Sequence, residues 1–289
     1  MKDRLLLASV CMCSTENKEQ NIDTALAYVK EAAKRGADWV LLPEVFAYHG
    51  PYEDIYSKGE SDDGMLVQRL QEAARDFGIC LFAGSFGERP SEQEVSAKAL
   101  KGRLGHDRVY NTSYVFDRTG KLVAKYRKTH LFNLLDGEGK PVYCESDGFL
   151  AGDQPVTLTL DGFRVGMAIC YDLRFPSFFE ALARDGALDV IVLPSAFTLQ
   201  TGMDHWELMI RARAVEQQSY VFAANQVGHH GRGKHSYGHS MVVDPWGYVL
   251  ANTGGVEGLA LAEITKARIA DVRSRLPALQ NRRPEVYGR

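Results

Sequence analysis

Apolar runs of strand length alternate along the chain with segments of helical spacing. Leu5 to Val10 reads as a first strand. From Asn17 to Arg35, apolar residues recur at helical intervals through Ile22, Ala25, Leu26, Val29 and Ala33. Thr15 or Asn17 is placed to cap that helix, and Gly36 to stop it. Trp39 to Glu44 follows as a buried strand, Leu66 to Phe77 as an amphipathic helix ended by Gly78, and Ile79 to Phe86 as another strand. The turn Arg118-Thr119-Gly120-Lys121 predicts a hairpin between Asn111 to Asp117 and Leu122 to Lys128. Further strands are expected at Phe163 to Cys170, Asp189 to Pro194, Tyr220 to Val227 and Leu259 to Ile264, with a hairpin around Pro245-Trp246-Gly247. Helices are expected near Ser177 to Arg184 and Trp206 to Gln218. Mixed hairpins and crossover helices predict a layered α/β fold.

Composition narrows the class without changing this picture. The chain has 289 residues and a net charge of −3. With no Lys/Arg run, nucleic acid and anionic membrane are not expected partners. No apolar stretch is long enough to span a bilayer. The apolar start is short and passes into polar residues, which predicts a cytoplasmic protein without an export signal. Five cysteines at irregular spacing argue against a disulfide framework. Cys11, Cys13 and Cys80 read as small apolar filler. Arg89 to Gly105 reads as an exposed excursion. Without an evident linker or repeat, residues 1–289 are expected to form one domain, with a basic tail over about 266–289.

Three strand ends carry reactive groups. The apolar run before Cys170 stops at the thiol, and Tyr171-Asp172-Leu173-Arg174-Phe175-Pro176 follows. The Leu41-Leu42-Pro43 run stops at Glu44, and the strand from Leu122 stops at Lys128. If these strands lie side by side, the three groups meet at one sheet edge, where open α/β sheets keep their chemistry. A thiol, a carboxylate base and a fixed cation suit hydrolysis of an amide or nitrile. Glu44 takes the thiol proton. Lys128 and the Tyr171 N–H receive the oxyanion, and one missing donor in such a hole costs roughly 3–4 kcal/mol.

Leu42-Pro43-Glu44, Tyr126-Arg127-Lys128-Thr129-His130-Leu131-Phe132 and Cys170 to Pro176 together resemble the three signatures of the nitrilase, or carbon–nitrogen hydrolase, superfamily. The resemblance implies a four-layer αββα sandwich, a Glu44-Lys128-Cys170 triad and homodimers formed by packing α-layers, with the tail contributing contacts. Pro194 to Thr198, His205-Trp206-Glu207, Arg211 to Glu216, Tyr237 to Gly247 and Arg282-Arg283-Pro284 resemble the branch that hydrolyses deaminated glutathione, with ω-amidases nearby. The implied reaction is cleavage of a terminal amide in a small carboxylate-bearing substrate through an acyl-thioester, with no cofactor and no metal. The branch also implies a second glutamate in a Cys-Glu-Ser context, which Cys144-Glu145-Ser146 matches. Glu138 competes for that role, because the loop Asn133 to Lys140 departs from the family's form. Ser177 departs too, standing where the family has Glu.

For the pocket, Arg174 is a candidate clamp on a substrate carboxylate, since guanidinium matches that geometry. Thr198 and Tyr48 are further candidates. N-carbamoyl amine hydrolase and nitrilase chemistry share the triad and remain alternatives, as does a non-catalytic scaffold on a hydrolase fold. Gly228 to Lys234 fits the opening of a phosphate loop, but His235 stands where Ser or Thr is needed. His229, His230, His235 and His239 lack carboxylate or Cys neighbours at ligand spacing. The segment is expected to be a flexible loop near the pocket mouth. A serine hydrolase is disfavoured, because there is no Gly-x-Ser-x-Gly elbow.

Overall fold

The computed structural model describes residues 2–97 and 100–287. Met1, Lys98, Ala99, Gly288 and Arg289 lie outside the described residues, and with them the end of the expected tail and two positions of the Arg89 to Gly105 excursion.

Two mixed sheets pack face to face. The first runs in the order Gly258–Thr265, Arg4–Cys11, Trp39–Leu41, Cys80–Phe82, Val109–Phe116, Phe86–Glu88. Leu122–Arg127 and Phe149–Leu150 also pair with Val109–Phe116. The second runs Thr157–Leu160, Phe163–Met167, Val190–Ser195, Tyr220–Asn225, Met241–Val243, Val249–Asn252. Each has a parallel centre of three strands with antiparallel neighbours. The helices Lys18–Lys34 and Met65–Phe77 cover the outer face of the first sheet. Pro176–Leu182 and Glu207–Gln217 cover that of the second. This is the αββα order.

Sheets covered on both faces need strands that are apolar throughout. Leu5, Leu7, Trp39, Leu41, Cys80 and Phe82 point into the inter-sheet core, while Ala8, Val10, Val40 and Leu81 alternate with them toward the helices. Burying each of the larger side chains contributes about 1.5–3 kcal/mol. Trp39 also donates from Nε1 to Asp161 Oδ2 at 2.9 Å, and Asp161 sits in the turn leading into Phe163–Met167. That bond ties the first sheet to the second. The Lys18–Lys34 helix is capped by Asn17, whose side chain accepts from the Gln20 N–H at 3.3 Å.

Several elements differ from the sequence expectation. Ile79 to Phe86 is two strands, Cys80–Phe82 and Phe86–Glu88. The break is at Gly84, whose φ is +51° and where a Cβ would fall 2.1 Å from the Pro43 carbonyl oxygen. The strand before Glu44 ends at Leu41, since Pro43 has no N–H to continue the ladder. The basic tail begins with a helix, Lys266–Arg275. The Gly228 to Lys234 segment is part of a hairpin, Val227–Gly231 with Lys234–Tyr237.

Candidate active site

The strand directions bring one end of both sheets together. Trp39–Leu41 and Cys80–Phe82 are parallel, and Val109–Phe116 runs against the latter. Leu122–Arg127 runs against Val109–Phe116, so its carboxyl end points the same way as that of Trp39–Leu41. Glu44 and Lys128 therefore leave one sheet at the same end. Cys170 leaves the other sheet, after Phe163–Met167. The three groups converge from two facing sheets, and do not share one sheet edge as the side-by-side arrangement required. Glu44 N donates to Ser195 O at 3.3 Å, a backbone bond across the seam.

Glu44 sits in a tight turn. Val45 has φ +48°, unusual for a β-branched residue. Its N–H is held by Ser85 Oγ at 3.1 Å, and the Phe46 N–H by Ser85 O at 3.1 Å. Lys128 Nζ donates to Glu44 Oε1 at 2.8 Å and to both oxygens of Glu145, at 2.9 and 2.7 Å. Burial works against its ammonium, but the carboxylates of Glu145 and Glu44 outweigh it and hold its pKa well above the ordinary lysine value. Glu145 is itself pushed up by burial and by Glu44, against the pull of Lys128. It also accepts from the Phe132 N–H at 2.7 Å. Glu138 is exposed and pairs with Lys140 at 2.6 Å, so Glu145 is the glutamate that reaches Lys128.

Cys170 has φ +47° at the start of a 3₁₀ turn, Cys170–Arg174. Burial and the neighbouring Glu44 carboxylate push its thiol well above the ordinary cysteine value. Lys128 and the Ala196 backbone N–H pull the other way. The thiol therefore keeps its proton at rest, facing a carboxylate that can take it. Asp172 fixes the turn. It accepts from Ile169 N at 2.9 Å, Tyr126 Oη at 2.7 Å, His130 N at 3.1 Å and His130 Nδ1 at 2.7 Å. His130 stacks on Phe175 with ring centroids 3.8 Å apart. Two separate sequence signatures are thus knitted into one wall.

Glu44, Lys128, Glu145 and Cys170 line a largely apolar cavity of about 400 Å³. Tyr48 and Thr198 also line it, although both are occupied locally. The Tyr48 hydroxyl donates to Pro51 O at 3.1 Å, and Thr198 Oγ1 accepts from the Thr201 N–H at 3.4 Å. Arg174 does not line this cavity. It borders a smaller recess shared with Cys170, Tyr171 and Ala196, where its guanidinium lies 5.5 Å from the Phe197 ring centroid and 3.4 Å from His205 Nδ1.

Sequence reasoning missed two contributors. Asn111 Nδ2 donates to Glu44 Oε1 at 2.8 Å and Glu145 Oε1 at 3.0 Å, bridging both carboxylates from inside a fully buried strand. Its signal was an amide in an otherwise sealed strand. Ala196 acts only through its N–H and leaves no signal in its side chain. No group of His, Cys, Asp and Glu suited to a metal occurs among the described residues.

The carbon-nitrogen hydrolase family profile matches residues 6–274. A Homo sapiens protein, deaminated glutathione amidase, is 40% identical over 98% of this chain and 84% of its own length. Omega-amidase NIT2 of Mus musculus is 37% identical over 97% of this chain and 96% of its own. The crystal structure of Saccharomyces cerevisiae Nit3, described as a member of branch 10 of the nitrilase superfamily, is similar with a TM-score of 0.84 and 30% identity over 98% of each chain. With a profile match across nearly its whole length and the signature residues gathered at one cavity, this chain belongs to the carbon–nitrogen hydrolase family.

Proposed function

We propose that this hydrolase is a cysteine-dependent amidase acting on a small carboxylate-bearing amide, with deaminated glutathione as the favoured substrate. The observation that carries the reading is Lys128 Nζ held between Glu44 and Glu145, with the Cys170 thiol facing Glu44. The Homo sapiens deaminated glutathione amidase, at 40% identity, is nearer to this chain than the Mus musculus omega-amidase NIT2, at 37%, which supports the choice of substrate.

In this mechanism Glu44 takes the Cys170 proton as sulfur attacks the amide carbon. The new oxyanion is received by Lys128 and the Tyr171 N–H. The C–N bond breaks as protonated Glu44 returns its proton to the leaving nitrogen. For deaminated glutathione that nitrogen is the amine of cysteinylglycine, whereas a terminal amide releases ammonia. The remaining acyl-thioester is attacked by water, with Glu44 again as base. The carboxylic acid leaves and the thiol is restored. Glu145 keeps Lys128 charged throughout. Only protons and an acyl group move, so the reaction needs no cofactor. Arg174, in the recess beside Cys170, holds the carboxylate on the acyl side, and Thr198 and Tyr48 shape the pocket.

One domain across residues 1–289 is proposed to pair with a second copy through its α-layer and tail. Exposed Leu208 and Val215 on the Glu207–Gln217 helix, beside Tyr248, support this. A reduced Cys170 fits the cytoplasm. No helix among the described residues is long and apolar enough to cross a membrane.

The test is product release from deaminated glutathione, α-ketoglutaramate, N-carbamoyl amines and simple nitriles, compared between the natural chain and Cys170→Ala. Cleavage of the acidic amides with an acyl adduct on Cys170, lost in the variant, supports the reading. Silence on every amide, or an adduct on another residue, would overturn it.

A further inference from the structure

The cavity holds a second cation that the triad does not use. Its lining residues include two lysines and no arginine. Lys128 is committed to Glu44 and Glu145. Lys234 has no acidic or hydrogen-bonding partner for its ammonium among the described residues. It lies 5.2 Å from the ring centroids of both Tyr52 and Tyr143. Those two rings form a hydroxyl-to-hydroxyl pair, and Tyr143 in turn senses the charges of Glu145 and Lys128. Lys234 thus stands one tyrosine pair beyond the triad, on the same cavity.

The surroundings suit an anion. Half-buried charge without a counter-ion is costly unless a ligand supplies one. The neighbouring His49 and His230 rings stack 4.0 Å apart, and burial holds both toward the neutral form, so neither competes as a second cation. His49 Nδ1 is buried without a partner among the described residues. Lys234 opens the second strand of the hairpin. Lys234 follows a tight turn at Gly231, Arg232 and Gly233, all with positive φ, and Ser236 in the same strand bridges to Thr198. Arg232 points to Glu53 at 3.4 Å and is outside the cavity lining.

We propose that Lys234 binds a carboxylate on the leaving-group side of the scissile amide, and so selects substrates that extend beyond it. This rests on the amidase reading above. Deaminated glutathione carries such a carboxylate at the end of cysteinylglycine. α-Ketoglutaramate, which releases ammonia, has none. Arg174 and Lys234 would then read opposite ends of one substrate.

The experiment measures steady-state kinetics of both amides with the natural chain, Lys234→Met and Lys234→Arg. The expected result is a rise of about tenfold or more in KM for deaminated glutathione in Lys234→Met, with kcat little changed and α-ketoglutaramate unaffected. Lys234→Arg should recover most of the loss. An unchanged KM would overturn the inference, as would an equal loss on both amides, which reports a collapsed wall. Cleavage of α-ketoglutaramate alone by the natural chain would overturn it while the amidase reading stands. Cleavage of neither would remove both.

Discussion

Glu145 grips Lys128 Nζ with both carboxylate oxygens, whereas Glu44 shares a single oxygen with the same ammonium. The second glutamate therefore carries more of the cation's support than the proposed base does. Glu145→Gln should cut kcat by about 10²–10³-fold while substrate still binds, because the oxyanion partner loses its positioning and charge support. A stopped-assay comparison of kcat and KM checks this, and near-normal kcat would remove Glu145 from the mechanism.

Asn111 donates to Glu44 and Glu145 at once. Asn111→Ala leaves each carboxylate one donor short, at roughly 1–3 kcal/mol per buried group. Asn111→Asp adds a third negative charge beside the two. Activity should fall in the order natural chain, Asn111→Ala, Asn111→Asp, provided circular dichroism shows all three folded. The reverse order for the two variants would contradict the electrostatic role.

Asp172 accepts four hydrogen bonds and is fully buried. Asp172→Ala strands those donors and frees the Cys170 turn. It should cost on the order of 3–5 kcal/mol in urea unfolding. Asp172→Asn, which keeps an acceptor, should cost less and retain partial activity.

The stacked histidines make folding sensitive to acid. Burial pushes His230 down to about 4 and His49 well below its ordinary 6.5. His230 Nδ1 donates to Ser14 O at 2.7 Å, and its Nε2 meets Ser236 Oγ at 2.8 Å, so the neutral ring satisfies both partners. Below pH 6.5 the unfolded chain takes protons that the folded rings refuse. Their contribution to stability is therefore complete above that pH and falls as pH drops toward 4, by roughly 3 kcal/mol for His230. Urea midpoints at pH 7 and 4.5 should differ less in His230→Asn than in the natural chain.

Much of the site was legible because strand ends expose their chemistry. Glu44, Lys128 and Cys170 each interrupt an apolar run, and all three reach one cavity. Their arrangement was not legible. Nothing in an apolar strand says whether its neighbour lies beside it or across the sandwich, and Cys170 turned out to face Glu44 from the other sheet. Asn111 was hidden because Val109–Phe116 is buried along its whole length, and an amide there resembles an imperfect strand residue. Lys234 is hidden in the sequence because its segment carries the opening of a phosphate-loop motif and several histidines, and an unpaired cation becomes visible only once its neighbours are known.

The Trp39–Asp161 bond is one of the ties that keep the two sheets in step. The proposed proton acceptor and cation, Glu44 and Lys128, ride on one sheet and the proposed nucleophile, Cys170, on the other, so neither half of the chain holds the complete set. During refolding, catalytic turnover should lag behind the recovery of strand and helix signals and appear only when the halves dock. A core substitution that lets one sheet slide by a fraction of a side chain would silence the enzyme long before it melts.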